Sequence, residues 1–416
     1  MSIRLRIAFV VSAATMLATT GIFVYSAWAG PLTPPPGPVT GTYKTLSEVE
    51  PRTAISGTNT PGDADSLFKI TQPGSYYLTG NITGVSGKHG VKIAVGANGP
   101  SVTIDLMGFE LAGVPGSLDG ISATVANTRN IAIRNGTVRA WGGDGIDVSN
   151  SQNNSLVDLR VQSNGARGIS GSAFNTITGC AAQFNGQEGI RTMDASTLAD
   201  CTANFNTGHG FSVFFGSTMT RCAANFNGGH GISADQACII TACGTFQNSA
   251  DGIRVTSDCT ISACTARVNA GNGIHAGLGS TVSGCTVSNN ALGITTGGDG
   301  TITGCTVNDN STNGISINGS NSQVTDNVCT GNGDGGIGSG IYTNGNSNRI
   351  AGNTVTRADF GIFLDGAITG NVVVGNVARG NTTNYSNPAS GNFIGTLIGT
   401  SGAMNTATNS LVNISF

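Results

Sequence analysis

The sequence predicts an all-β solenoid: a single-stranded parallel β-helix of about 21 residues per coil. Three series of residues support this fold, because they recur with one period of 20 or 21 residues, apart from a first interval of 23 in the Gly-Ile series. They are a Gly-Ile pair (once Gly-Phe), a cysteine, and an asparagine five residues after each cysteine. The pairs begin at Gly145, Gly168, Gly189, Gly210, Gly231, Gly252, Gly273, Gly293 and Gly314; the cysteines are Cys180, Cys201, Cys222, Cys243, Cys264, Cys285, Cys305 and, after 24 residues, Cys329; the asparagines are Asn185, Asn206, Asn227, Asn248, Asn269, Asn290 and Asn310.

Each period contains short runs in which apolar and polar residues alternate, such as Thr301-Ile302-Thr303 and Gly314-Ile315-Ser316-Ile317. Alternation with a period of two is typical of strands, and the Leu-x-x-Leu-x-Leu pattern of a leucine-rich repeat is missing. Three short strands and three turns fit into one period. Equivalent residues of successive coils then lie above one another at a spacing of about 4.8 Å.

This stacking assigns a place to each series. The isoleucines fill the core, the glycines before them permit the turn, and the asparagines link their amides from coil to coil. Phe184, Phe205 and Phe226 share one position and are expected to stack inside. The cysteines are interior thiols or form disulfides, and both alternatives stay open. A second inward column contains Cys238 and Cys259, with Ser196, Ser217 and Ser280 as its equivalents.

Composition excludes several classes of protein. The 416 residues include 64 glycines, which disfavour a helical bundle, and carry only 10% charged residues with a net charge of −3. Without a basic stripe, nucleic acid is not an expected partner. No Cys-x-x-Cys spacing, calcium repeat or phosphate loop is found, so we expect no metal site and no cofactor. We expect a monomer.

The N-terminal segment has the features of a signal peptide. Arg4 and Arg6 precede an uncharged stretch from Ile7 to Trp28, and Ala27-Trp28-Ala29 resembles a cleavage site. We predict a signal peptide over 1–29 with cleavage after Ala29, and a secreted or periplasmic protein with no membrane span after cleavage; the alternative is an uncleaved anchor. The remaining boundaries are a Pro-rich spacer and N-terminal extension (30–65), the β-helix (66–393) and a C-terminal cap or tail (394–416).

Two outward columns concentrate charge and three of the four histidines on one side of the helix. The first column consists of the residues just before each Gly-Ile pair, and the second of those just after it. The first contains Asp119, Asp144, Arg167, Glu188, His209, His230, Asp251, Asn272 and Asn313; the second contains Ser122, Asp147, Ser170, Arg191, Ser212, Ser233, Arg254, His275 and Ser316.

These columns supply the candidate site. Acid–base catalysis would use Glu188, His209, His230 and Asp251, which occupy four successive coils. Asp144 lies two coils from Glu188, about 9–10 Å, near the upper end of the carboxylate separation in inverting glycosidases. The remaining candidates would bind ligand, with the arginines holding substrate carboxylates. The ligand-binding candidates are Asp144, Asp147, Arg167, Arg191, Arg254 and His275. The alternative interpretation is that a solvent-facing column is simply polar for solubility.

The repeats resemble those of the right-handed, pectin lyase-like β-helix superfamily, which includes NosD-type and carbohydrate-binding proteins, pectate lyases, polygalacturonases and alginate epimerases. Segments 68–82, 102–109 and 130–138 resemble its opening strands and early coils. The resemblance implies a right-handed helix; it does not specify an activity, because the matching repeat positions are core and turn positions. Gly-His-Gly, a polygalacturonase motif, occurs at Gly208-His209-Gly210 and Gly229-His230-Gly231, but the other polygalacturonase motifs and the epimerase Asp-Pro-His are absent.

Two functional hypotheses follow. In the first, a secreted β-helix binds polysaccharide or a cell-surface glycan, or serves as an extracellular structural protein. In the second, it is a polysaccharide lyase, hydrolase or epimerase acting on a linear, possibly acidic polysaccharide.

Overall fold

The structure, a computed structural model, describes residues 50–96, 101–333, 336–399 and 412–415. The predicted signal peptide (1–29), residues 30–49 of the predicted spacer and residues 400–411 of the predicted tail lie outside the described residues. From Arg52 onward the described residues belong to one compact unit. None of the described segments forms an apolar helix of membrane-spanning length.

The chain winds into stacked coils whose strands pair in parallel with those of the next coil, which confirms the predicted parallel β-helix. The pairing of Pro61–Asp63 with Ser66–Ile70 is antiparallel. A front sheet receives one strand from each coil, a back sheet receives two from most coils, and a small corner sheet joins two coils.

The front sheet has 16 strands. They are Pro61–Asp63, Ser66–Ile70, His89–Ile93, Ile121–Ala123, Ile146–Val148, Ile169–Gly171, Ile190–Thr192, Phe211–Val213, Ile232–Ala234, Ile253–Ser257, Asn272–Leu278, Leu292–Thr296, Ile315–Ile317, Ser339–Thr343, Phe360–Leu364 and Thr383–Ser386. The corner sheet consists of Thr128–Arg129 and Ser151–Gln152.

The back sheet has 30 strands. They are Thr53–Ala54, Gly74–Tyr77, Ile82–Thr83, Val102–Asp105, Glu110–Ala112, Ile131–Arg139, Ser155–Gln162, Thr176–Thr178, Ala181–Gln183, Thr197–Ala199, Thr202–Asn204, Thr218–Thr220, Ala223–Asn225, Ile239–Thr241, Gly244–Phe246, Thr260–Ser262, Thr265–Arg267, Thr281–Ser283, Thr286–Ser288, Thr301–Thr303, Thr306–Asn308, Gln323–Thr325, Val328–Thr330, Arg349–Ala351, Thr354–Thr356, Val372–Val374, Val377–Arg379, Phe393–Ile394, Leu397–Ile398 and Asn413–Ser415.

The Gly-Ile series forms the core of the front sheet. Ile190, Phe211, Ile232 and Ile253 are aligned by strand pairing and have no exposed surface. The glycine before each of them is required by close packing: a Cβ on Gly231 would lie 2.7 Å from the carbonyl oxygen of Gly252. The core is therefore one continuous apolar column running along the helix, as predicted.

The asparagine series forms a buried amide ladder. Asn227 Oδ1 accepts hydrogen bonds from the backbone N–H and the side-chain amide of Asn206, at 3.1 and 3.0 Å. Asn227 Nδ2 in turn donates to Asn248 Oδ1 and to the carbonyl of Ala203. Each asparagine thus satisfies polar groups at a bend where the strand ladder is interrupted, which confirms the predicted linkage.

The ten cysteines are buried and free, so the structure shows interior thiols. The backbone N–H of Cys222 donates to Cys243 Sγ over 3.4 Å, one coil away. In the second column Cys238 N–H donates to Cys259 Sγ and Cys259 N–H to Ser280 Oγ, as the sequence predicted. Burial raises the pKa of Cys329 to about 12, so this thiol stays protonated at neutral pH.

Two assignments within these columns were wrong. Cys329 does not continue the cysteine series: it pairs with Val307, while Asn327 accepts the N–H of Cys305, because the longer interval shifts the register by two residues. Phe184 and its equivalents stack, but outside, with ring centroids 5.0 and 4.8 Å apart. They have φ near +55° at a corner that turns their side chains outward, and the following asparagine takes the inward position.

The first and last described strands extend the helix. Thr53–Ala54, within the predicted N-terminal extension, pairs with Gly74–Tyr77. At the other end Asn413–Ser415, within the predicted tail, pairs with Val377–Arg379 and Leu397–Ile398. The tail therefore adds a strand at the last coils, and its role as a cap against edge pairing remains a prediction.

Candidate functional site

Two outward series of residues run along the front sheet, parallel to the helix axis. We call the residues that precede each front-strand glycine the edge column, and the outward residues two positions after that glycine the face row. Strand pairing aligns the face row directly. It contains Lys92, Ser122, Asp147, Ser170, Arg191, Ser212, Ser233, Arg254, His275, Thr295, Ser316, Tyr342 and Phe363. Pairing adds Lys69, where Leu67 replaces the glycine.

The edge column is a ladder in which a side chain accepts the backbone N–H of the next coil. His209 Nδ1 accepts the N–H of His230 at 2.9 Å, and His230 Nδ1 accepts that of Asp251 at 3.1 Å. Asp251 Oδ1 accepts the N–H of Asn272 at 2.7 Å. Asp, Asn and His share an acceptor atom one bond beyond Cγ, which reaches the neighbouring coil. The residue types of this column therefore have a structural cause.

The same ladder operates in the earlier coils. His89 Nδ1 accepts the N–H of Asp119, whose Oδ1 accepts the N–H of Asp144, whose Oδ1 accepts the N–H of Arg167. It is interrupted where Arg167 and Glu188 follow, because neither presents an acceptor at the required position. Instead Arg167 Nε donates to Glu188 Oε2 at 3.1 Å, and its guanidinium lies 3.9 Å from Asp144 Oδ2. Arg167 thus occupies the space between the two carboxylates.

The histidines at the centre are held neutral with a defined tautomer. An Nδ1 atom that accepts an N–H carries no proton, so the ring proton of His209 and of His230 lies on Nε2. Burial lowers the pKa of both imidazoles, against the charges of Glu188 and Asp251, which raise it. The two rings stack with centroids 4.9 Å apart. At neutral pH they present two Nε2–H donors and no free basic nitrogen.

The Asp251 carboxylate, one coil after His230, has several polar neighbours. Asp251 Oδ2 lies 3.8 Å from a guanidinium nitrogen of Arg254 and 3.5 Å from His230 Nδ1. Because that Nδ1 accepts the Asp251 N–H, the contact with the imidazole is not an ion pair. His275 lies 3.5 Å from the side-chain amide of Asn272, and burial lowers its pKa as well. The structure thus brings His230, Asp251, Arg254 and His275 into one cluster.

Asp144, in the coils before those of His209 and His230, is a carboxyl with a raised pKa. Asp144 is buried, and its pKa is raised to about 6, mainly by burial; its bond with the Arg167 N–H opposes the shift, and the nearby charges of Asp147 and Asp119 contribute to it. This group can therefore exchange a proton near neutral pH. It is the carboxyl of the edge column best suited to acid–base chemistry.

The centre of the face row is a small-residue floor between two cations. Ser212 and Ser233 occupy successive coils between Arg191 and Arg254, which are three coil steps apart, about 14 Å. Among the described residues, neither serine hydroxyl has a hydrogen-bond partner. The guanidinium of Arg191 lies 5.3 Å from the ring centroid of Phe214 and has no carboxylate partner among these residues. We call this arrangement the central face.

The structure adds residues that the sequence analysis missed. His89 belongs to the edge column, so all four histidines lie in the two series. Lys92 in the face row pairs with Asp63 and Asp65. Later in the chain Phe360 and Phe363 take the edge-column and face-row positions and stack at 4.8 Å. The sequence signal existed: reading Gly-Val as equivalent to Gly-Ile finds His89, and continuing past residue 316 to Gly361-Ile362 finds the phenylalanines.

Two family models match the chain. The model of the right handed beta helix region matches residues 96–241, and that of the periplasmic copper-binding protein (NosD) matches residues 232–396. No curated protein sequence matches.

Several solved structures are similar in fold. The Azotobacter vinelandii mannuronan C-5 epimerase AlgE4 A-module has 19% identity and a TM-score of 0.45, covering 61% of this chain and 86% of its own. The catalytic unit of a Streptomyces thermodiastaticus GH87 α-1,3-glucanase has 12% identity and a TM-score of 0.38, covering 88% and 68%. The N-terminal fragment of bacteriophage Phi29 gene product 12 has 12% identity and a TM-score of 0.43, covering 80% and 70%. At these TM-scores the similarities say nothing about activity.

Proposed function

We propose that this chain, a right-handed parallel β-helix of the pectin lyase-like type, binds a linear, carboxylate-bearing polysaccharide along its front sheet. The observation that carries the proposal is the central face. Arg191 and Arg254 lie in one row along the helix axis, separated by two small residues whose hydroxyls have no partner among the described residues. A row of this kind offers charge and hydrogen bonds to an extended polymer.

The chemistry of the groups favours an acidic ligand. A guanidinium forms bidentate hydrogen bonds with a carboxylate, and such charge-assisted bonds are among the strongest available to a surface site. Ser212 and Ser233 add hydroxyls that pair with sugar hydroxyls. The Nε2–H groups of His209 and His230 add two donors on the edge of the same coils. These groups provide two cations and several neutral hydrogen-bonding partners.

Hydrogen bonding supports binding over histidine catalysis. A histidine that acts as a general base needs an unprotonated nitrogen facing the substrate. The unprotonated Nδ1 atoms of His209 and His230 already accept hydrogen bonds from backbone N–H groups. Freeing either nitrogen would break a link between coils. The histidines therefore serve as structural acceptors and as donors to a ligand.

The proposal includes export of the protein from the cytoplasm. The predicted signal peptide would deliver the protein to the periplasm or the cell exterior, where linear polysaccharides occur. One matching family is described as periplasmic, which supports this location.

The description of that family names copper binding, but the described side chains form no copper site that we can identify. The described residues contain no group of three or more His, Cys, Asp or Glu that could hold a metal ion. The thiols are buried in the core, and the central histidines use their Nδ1 atoms in the ladder. Copper therefore has no part in the proposal.

A second candidate function, a lyase, hydrolase or epimerase, is favoured by one observation. Burial raises the pKa of Asp144 to about 6, and this carboxyl lies near Asp147 and the ion pair of Arg167 with Glu188. A carboxyl that is half protonated at about pH 6 can act as an acid or a base. In this case the reacting group would be Asp144, and not His209 or His230.

Affinity electrophoresis of the purified protein in gels containing pectate, alginate or neutral starch tests the proposal. We expect retardation by an acidic polymer, and about tenfold weaker binding in Arg191→Gln and Arg254→Gln. Arg267→Gln, an exposed arginine on the back sheet, is the matched control and should bind normally. Wild-type mobility unchanged by every acidic polymer would overturn the proposal. Product formation that Asp144→Asn abolishes without loss of binding would establish the second candidate.

A further inference from the structure

A cavity lies away from the central face, at the corner where the front sheet turns toward the back sheet. It has a volume of about 460 Å³ and is lined by Arg129, Asn130, Gln152, Asn153 and Phe174. The corner sheet forms its floor, with Arg129 paired to Gln152 in parallel register. The size is within the range of small-molecule sites.

Phe174 differs from the phenylalanines that stack along the neighbouring corner. Phe184, Phe205 and Phe226 stack on one another, so the ring faces of Phe205 are both covered. Phe174 is 54% exposed and has no aromatic neighbour among the described residues. It occupies a left-handed corner position, with φ of +61°, where the next coil has Ala195. A bulky side chain is unfavourable in this backbone conformation, and more than half of the Phe174 surface is exposed.

The polar groups around this ring have few partners within the described part of the chain. Among the described residues, the Arg129 guanidinium and the Gln152 side-chain amide have no hydrogen-bond or ion-pair partner. Asn153 Nδ2 donates to Asn130 Oδ1 at 2.6 Å, which holds these two amides together. Asn153 Oδ1 and Asn130 Nδ2 have no hydrogen-bond partner among the described residues. The backbone of the floor is satisfied, since Asn130 and Asn153 donate their N–H groups to Gln152 and Ala173.

We infer that this corner cavity is a binding site for a single sugar residue carrying a carboxylate, separate from the central face. The apolar C–H face of the sugar would lie on the Phe174 ring, its carboxylate on the Arg129 guanidinium, and its hydroxyls on the Gln152 and asparagine amides. One cation, several amides and one aromatic surface around a single cavity match the mixed polar and apolar character of a uronic acid.

Fluorine NMR of protein labelled with 4-fluorophenylalanine tests this inference at the residue itself. Loss of one signal in Phe174→Leu assigns the resonance, and galacturonic acid is the probe, with glucose as the neutral comparison. We expect a saturable shift of the Phe174 signal with galacturonic acid, and at least about tenfold weaker binding in Arg129→Gln. The Phe205 signal serves as the internal control and should not move.

The variants separate this site from the proposed function. Arg191→Gln/Arg254→Gln should keep the shift at Phe174 while losing polysaccharide retention, and Arg129→Gln should do the reverse. A Phe174 signal that galacturonic acid leaves unmoved, or that moves equally in wild type and Arg129→Gln, overturns the inference. Unchanged signals elsewhere in the spectrum show that each variant is folded.

Discussion

The residues on the two sides of each front-strand glycine follow different rules. On the inward side, Ile232 and Ile253 belong to a column that remains apolar along the helix. On the outward side, His209, His230 and Asp251 belong to a column that changes from coil to coil while keeping a backbone acceptor. The inward column must fill the same space in every coil. The edge column must only offer one acceptor atom, so its remaining chemistry is free to serve a ligand.

The largest expected effect comes from breaking the inward column. Ile253→Asp would bury a carboxylate without a partner between Ile232 and Ile274, and we expect a loss of more than about 4 kcal/mol in the free energy of unfolding. Urea denaturation followed by circular dichroism measures it. Ser233→Asp, at the outward position next to Ile232, is the control and should cost about 0.5 kcal/mol, because it places the new carboxylate beside Arg254. Equal midpoints for the two variants would contradict the assigned register.

A smaller effect distinguishes the acceptor from the rest of the imidazole. His209→Ala leaves the N–H of His230 without its partner and should cost about 1 kcal/mol. His209→Asn keeps an acceptor at the same reach, as Asn313 does for Ser339, and should recover most of that loss. Urea midpoints of the two variants measure the difference. If asparagine were no better than alanine, the acceptor role would be refuted.

The smallest effect is a pH dependence of opposite sign in the two parts of the edge column. Lowered pKa values mean that folded His209 and His230 bind fewer protons than the unfolded chain, so their contribution is lost as pH falls below about 6.5. Asp144, raised from 3.8 to about 6, binds more protons when folded, so its contribution is lost as pH rises through that range.

Urea midpoints between about pH 4 and pH 8 separate these contributions. Asp144→Asn should remove the loss of stability that develops as pH rises from about 4 to 6, and His209→Asn/His230→Asn the opposing loss that develops as pH falls below about 6.5. An unchanged profile in Asp144→Asn would show that its carboxyl titrates normally, and would remove the basis of the enzymatic candidate.

The sequence predicted most of the fold because a solenoid repeats its constraints. Each coil meets the same neighbour above and below, so Asn227 and Cys243 recur at a fixed spacing that can be counted without coordinates. The prediction failed where inward and outward could not be told from the period alone. Phe205 and Asn206 are adjacent and equally regular, and only the left-handed φ of Phe205 shows which of them faces out.

The candidate site was predicted in part. The two series that contain His209 and Arg254 could be read from the positions flanking Gly-Ile. Their roles could not be read from the sequence, because a histidine that accepts a backbone N–H and a histidine that faces a substrate look identical in the sequence and recur at the same spacing. The cavity beside Phe174 left no periodic signal, since it depends on Arg129 and Gln152 from two neighbouring coils.

The sequence by itself determined the parallel β-helix, its coil length and the side on which charge is concentrated, because these follow from one repeated unit. The tertiary structure alone decided which groups are already engaged and which are available. His209 and His230 are bound to the backbone, Arg167 is bound to Glu188, and the Arg191 guanidinium lies over the Phe214 ring with no carboxylate partner among the described residues. The physical reason is that a repeat fixes where a residue lies along the helix, whereas hydrogen-bond partners depend on distances of a few tenths of an ångström between coils.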